Sequence, residues 1–66
     1  MKLIDAGKRL CEIQADLGIS SAELSRRVKI TPQQMLRHRQ QKNMKLHTIQ
    51  VLCEGLGIKA EDFITN

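Results

Sequence analysis

The chain has 66 residues, with 11 Lys and Arg against 7 Asp and Glu for a net charge of +4, and hydrophobic and charged contents of 41% and 27%. That length suits one small domain, residues 1–66, and that balance belongs to a folded chain rather than a disordered tail. One Phe with no Trp and no Tyr excludes an aromatic platform for stacking single-stranded nucleic acid, and no apolar run approaches the ~18 residues of a membrane span.

Five helical segments can be read in chain order, and no strand, because alternating β-branched runs and Asn-Gly or Asp-Gly hairpin signals are missing. The first runs from about Asp5 to Leu17, where Ala6, Leu10, Ile13 and Leu17 recur as one apolar stripe, and Gly18 supplies a left-handed stop. The second, about 21–28, opens at Ser20. With Glu23 this makes an S-x-x-E capping box, and Leu24 and Val28 face inward one turn apart. Thr31-Pro32-Gln33-Gln34 then reads as an N-cap, a Pro at the first helical position and a second box. Pro32 disfavours helical geometry at Thr31, so the chain must break there and Lys29-Ile30 becomes a tight turn with Ile30 in the corner. The third helix covers about 32–41. A polar, basic loop, Gln41-Lys42-Asn43-Met44-Lys45, leads to the fourth, about 46–56, with Leu46, Ile49, Leu52, Cys53 and Leu56 inward and Gly57 at its end. A short fifth, about 60–64, returns Phe63 to the core. The expected fold is all-α.

Charge is distributed unevenly along these elements. Residues 24–53 carry Arg26, Arg27, Lys29, Arg37, Arg39, Lys42 and Lys45 and no acid, while the flanking segments are net acidic. An acid-free stretch of this kind points to a polyanionic partner. Two capped helices separated by a three-residue break make a helix-turn-helix, with Leu24, Val28, Ile30 and Met35 as the shared core. The third helix then has one free face, made of Gln33, Gln34 and Arg37 with Gln40 and Gln41 further along. Gln matches the N6/N7 edge of adenine and Arg the O6/N7 edge of guanine. Leu36 either touches a thymine methyl or packs at the helix flank.

Other chemistry finds little support. Cys11 and Cys53 read as buried thiols in a reducing cytoplasm. With His38 and His47 they lack zinc-site spacing, so no metal or cofactor is expected. His38 reads as a half-buried, hydrogen-bonded residue. No nucleophile or acid–base pair suggests an enzyme, and no small-molecule ligand or membrane partner is expected.

The chain resembles the Cro/repressor (XRE-type) helix-turn-helix domains of phages and bacteria. The resemblance rests on Gly7-Lys8-Arg9-Leu10, Gly18-Ile19-Ser20, Glu23-Leu24-Ser25, Leu46-His47-Thr48-Ile49 and Leu52-Cys53-Glu54-Gly55-Leu56-Gly57-Ile58 in their joint spacing. It implies a compact five-helix lambda-repressor-like domain acting on double-stranded DNA, most simply a Cro-like transcriptional repressor in a bacterial host cytoplasm. It implies that helix 32–41 enters the major groove of a palindromic operator with Gln33 and Arg37 as main base readers and Gln34 as a secondary one. It also implies phosphate contacts from Ser21 at the start of the second helix and from Lys42, Asn43 and Lys45 in the exit loop; Thr31 and Gln40 join that phosphate set. A homodimer is implied, with Ile58, Phe63 and Ile64 at its interface. Alternatives on the same fold are an antitoxin, a restriction–modification controller, or a protein-interaction adaptor that has lost DNA binding. The sequence departs from the family at Lys29, where the turn usually has Gly, at Ser25, where Ala is usual, and at His38, usually apolar. It departs again at Gln14 and Arg39, where the family often has an Arg–Glu ion pair. Either Gln14 hydrogen-bonds Arg39, or Arg39 turns outward to a phosphate.

Overall fold

The first three helices each begin at the polar residue the sequence puts there. In the computed structural model, which describes residues 5–64, the elements are α1 (Ala6–Leu17), α2 (Ser21–Val28), α3 (Pro32–Gln40), α4 (Leu46–Leu56) and α5 (Ala60–Ile64). Asp5 lies just outside α1 and its carboxylate accepts from the Lys8 amide at 3.1 Å. Ser20 caps α2 through the Glu23 amide, but the second half of the expected box does not form. The Glu23 carboxylate turns to Arg26 and Arg27 instead, since two guanidiniums one turn away outbid one backbone N–H. Thr31 and Gln34 do make a complete reciprocal box. Gln41 is extended, at φ −80° and ψ 132°, so α3 ends one residue earlier than the sequence suggests.

The interior consists of Ala6, Leu10, Ile13, Leu24, Met35, Ile49, Leu52, Cys53, Leu56 and Phe63. Helix α3 rests on α1 and α2, α4 packs on α2 and α5, and α5 closes back on α1. Gly55 makes the α2–α4 contact possible: a Cβ there would lie 2.5 Å from Val28 Cγ1 and 2.9 Å from Leu24 Cδ1. Arg9 fixes α5 by donating from Nε to the Phe63 carbonyl and from Nη2 to that of Asp62, both at 3.0 Å. Burial pushes the Cys53 thiol upward, with nearby Asp62 adding to the effect, so it stays protonated.

Four apolar or thiol assignments change in three dimensions. Leu17 and Leu46, both expected inside, are 46% and 57% exposed. Each lies in a terminal turn that no other helix covers, and the interior place at the end of α1 goes to Gln14. Cys11 is only half-buried. Phe63 is 0% exposed, so it has no surface to offer a second subunit: in a chain with one aromatic side chain, the monomer core takes it. Ile64 is exposed and Ile58 half-buried, so these two retain apolar surface at that end. No helix among the described residues is long and apolar enough to cross a membrane.

Candidate nucleic-acid interface

Between α2 and α3 the chain reverses within three residues. Lys29 takes the left-handed conformation, φ 57° and ψ 48°, and its amide and that of Ile30 both donate to the Ser25 carbonyl. Among the described residues it is the one non-glycine with positive φ, a strain of about 1–2 kcal/mol. Ile30 packs into the core beneath the turn, and Thr31 starts α3 in a new direction. Met35 is the buried anchor of α3, at 1% exposed, and Gln33, Arg37 and Gln40 stand exposed along the opposite face. A capped helix held on two others by one apolar residue, with a polar face directed away from the body, is the geometry of a DNA-reading helix-turn-helix.

The sequence family described as the Cro/C1-type HTH DNA-binding domain matches residues 9–65. The chain belongs to this family. No curated protein and no solved structure matches the chain.

In this Cro/C1-type domain the C-terminal end of α3 is tied to the start of α1. The Gly7 amide donates to the Gln41 carbonyl at 2.7 Å and the Ala6 amide to that of Lys42 at 2.9 Å. Orphan donors at one helix start thus meet acceptors just past another helix end, with the two macrodipoles arranged favourably. Gly7 is required for this approach: a Cβ there would sit 2.4 Å from the Arg39 carbonyl oxygen and 2.7 Å from that of Gln41. These bonds hold the backbone of the exit loop, while the Lys42, Asn43 and Lys45 side chains remain exposed.

A polar cluster one turn further along α1 joins α1, α2 and α3. Gln14 is 5% exposed and donates from Nε2 to the Ile19 carbonyl at 3.2 Å and to Ser21 Oγ at 3.3 Å. Arg39 donates from Nη1 to the same Ser21 oxygen at 2.9 Å and from Nε to Cys11 Sγ at 3.2 Å. Gln14 does not bond Arg39 directly, because the Ser21 hydroxyl lies between them and links them. Its oxygen has two lone pairs, both now engaged, so its O–H proton is left as a donor. The Gln14 Oε1 atom is buried without a partner. The Ile19 carbonyl fixes this orientation, since it needs the nitrogen of the amide.

The remaining site residues divide by how free they are. Gln33, Arg37 and Gln40 are exposed, and Arg37, Lys42 and Lys45 pair with no carboxylate among the described residues. Gln34 and Thr31 are exposed but spend their side-chain oxygens on the capping box, leaving the Gln34 amide nitrogen outward. His38 is half-buried, its Nδ1 3.5 Å from Gln41 Oε1. Arg26 and Arg27 share the single carboxylate of Glu23, which offsets one of their two charges; that carboxyl is held below the usual range first by the Arg26 hydrogen bond and then by that of Arg27. The cations without a carboxylate partner among the described residues thus include Arg37 on α3 and Lys42 and Lys45 in the loop after it. Sequence reasoning missed the Gly7 contact and the Cys11–Arg39 bond. A glycine within the first helical turn was the signal for the former; nothing local signals the latter.

Proposed function

We propose that this domain is a small Cro-like transcriptional repressor that binds a palindromic operator as a homodimer. The observation that carries the reading is the row Gln33, Arg37 and Gln40, exposed on a capped helix whose opposite side is anchored by Met35. A helix of ~10–12 Å diameter fits a major groove about 12 Å wide. There Gln33 addresses adenine and Arg37 guanine, with Gln34 adding a donor from its free amide nitrogen. Ser21 supplies a hydroxyl proton and a helix-start amide to one phosphate. Lys42, Asn43 and Lys45, with Gln40 and the exposed edge of Thr31, follow the backbone on the far side. Two such domains related by a twofold axis read half-sites about one helical turn apart. Ile58 and Ile64 are the apolar residues available at the subunit contact.

The test is selection of duplexes from a random pool, followed by affinity measurement on the winner. Gln33→Ala and Arg37→Ala should each weaken specific binding by about 1–3 kcal/mol with the helical circular dichroism unchanged. About four phosphate contacts per subunit give a log–log salt slope of roughly −5 to −8 for the dimer. Failure to enrich any duplex, or an affinity indifferent to salt and to both substitutions, refutes the reading. A 1:1 complex on the palindrome refutes the dimer.

A further inference from the structure

Helix α3 exposes one large apolar side chain amid polar ones. Leu36 is 55% exposed, and its helical neighbours at i−3, i+1 and i+4 are Gln33, Arg37 and Gln40. On its other edge, at i+3, is Arg39, which reaches to Ser21 at the start of α2. Leu36 thus lies between the row that faces base edges and the side where α2 meets a phosphate. Met35 next to it already provides the core contact, and the apolar residues packed around the core do not include Leu36. In a major groove, the group with matching chemistry is the thymine 5-methyl, the one apolar feature on a base edge.

We propose that Leu36 is a specificity-determining residue that selects thymine through its 5-methyl group, next to the base pair read by Gln33 or Arg37. This rests on the DNA-binding reading and adds to it a position set by apolar contact rather than by hydrogen bonds. Hydrogen bonding alone would leave that position tolerant of uracil, which has the same donors and acceptors. Burying the methyl against Leu36 gives discrimination of about fourfold per half-site, the transfer value of one carbon group.

The experiment uses the full chain and the selected operator, with each thymine replaced in turn by deoxyuridine, symmetrically in both half-sites. Removing one particular methyl should weaken the unaltered protein about fourfold per half-site, while Leu36→Ala binds the two operators equally. Leu36→Met, which keeps apolar reach, should retain part of the preference; it also serves as a second variant whose helix is not in doubt. Indifference of the unaltered protein to every uracil overturns the proposal, as does a methyl preference that survives in Leu36→Ala, which would assign the methyl to another side chain. In both cases the operator is still bound, so DNA recognition stands. Absence of binding to the thymine operator itself removes the DNA reading and the Leu36 role together.

Discussion

Helices α3 and α4 have similar lengths and are held in opposite ways. Helix α4 buries Ile49, Leu52, Cys53 and Leu56, and Lys45 gives it no side-chain cap. Helix α3 buries Met35 alone and is fixed at its two ends, by the Thr31–Gln34 box and by the Gly7 and Ala6 amides bonding just past its last turn. The contrast follows from what each helix must leave free. A helix that presents most of its circumference to a partner cannot be anchored by a wide apolar stripe, so polar bonds at its termini replace side-chain packing. Position is thereby specified with little buried area.

The largest expected effect on that contrast comes from Leu52→Ala, which leaves a void in the centre and should lower stability by about 3 kcal/mol. A urea midpoint measures it. DNA affinity per folded molecule should be unchanged, because α3 rests on α1 and α2. Gly7→Ala should lower stability by about 2 kcal/mol, since the new methyl must displace the Arg39 and Gln41 carbonyls. Unlike Leu52→Ala, it should weaken operator binding further than unfolding explains. Equal affinity losses per folded molecule in the two variants would break the comparison.

Smaller changes sharpen it. Thr31→Ala removes the cap at the other end of α3 and should cost about 1 kcal/mol in thermal or urea unfolding. Its affinity loss should exceed that of a cap removed from α1, such as Asp5→Ala. Lys29→Gly relieves the left-handed strain in the turn and should raise stability by about 1 kcal/mol. It also removes one positive charge beside the reading helix. A drop in stability would show that the Lys29 backbone is not strained.

Local rules carried much of this structure. The stops at Gly18 and Gly57, the Ser20 and Thr31 caps and the break before Pro32 depend on residues adjacent in the chain, and each formed where the sequence places it. Periodicity was less informative at helix ends. It gives Leu17 and Leu46 a direction without saying whether another helix extends far enough to cover them. The second half of the Ser20 box failed for a related reason: the motif names a partner for Glu23 but does not weigh Arg26 and Arg27 as competitors. In the site, the exposed face of α3 followed from helical geometry. The meeting of Gln14, Ser21, Arg39 and Cys11 required knowing how three helices cross.

The sequence by itself determined the five helices, the turn that reorients the third, and the acid-free stretch that makes its surroundings positive. These depend on intrinsic backbone preferences and on formal charge, which are properties of neighbouring residues. Tertiary structure alone decided that Phe63 is enclosed, that the Ser21 hydroxyl links Gln14 to Arg39, and that α1 holds the end of α3 through Gly7. Each of those is a contact between segments distant in the chain. Whether it forms depends on how closely the helices approach, which is set by the combined packing of the core and by no single stretch of residues.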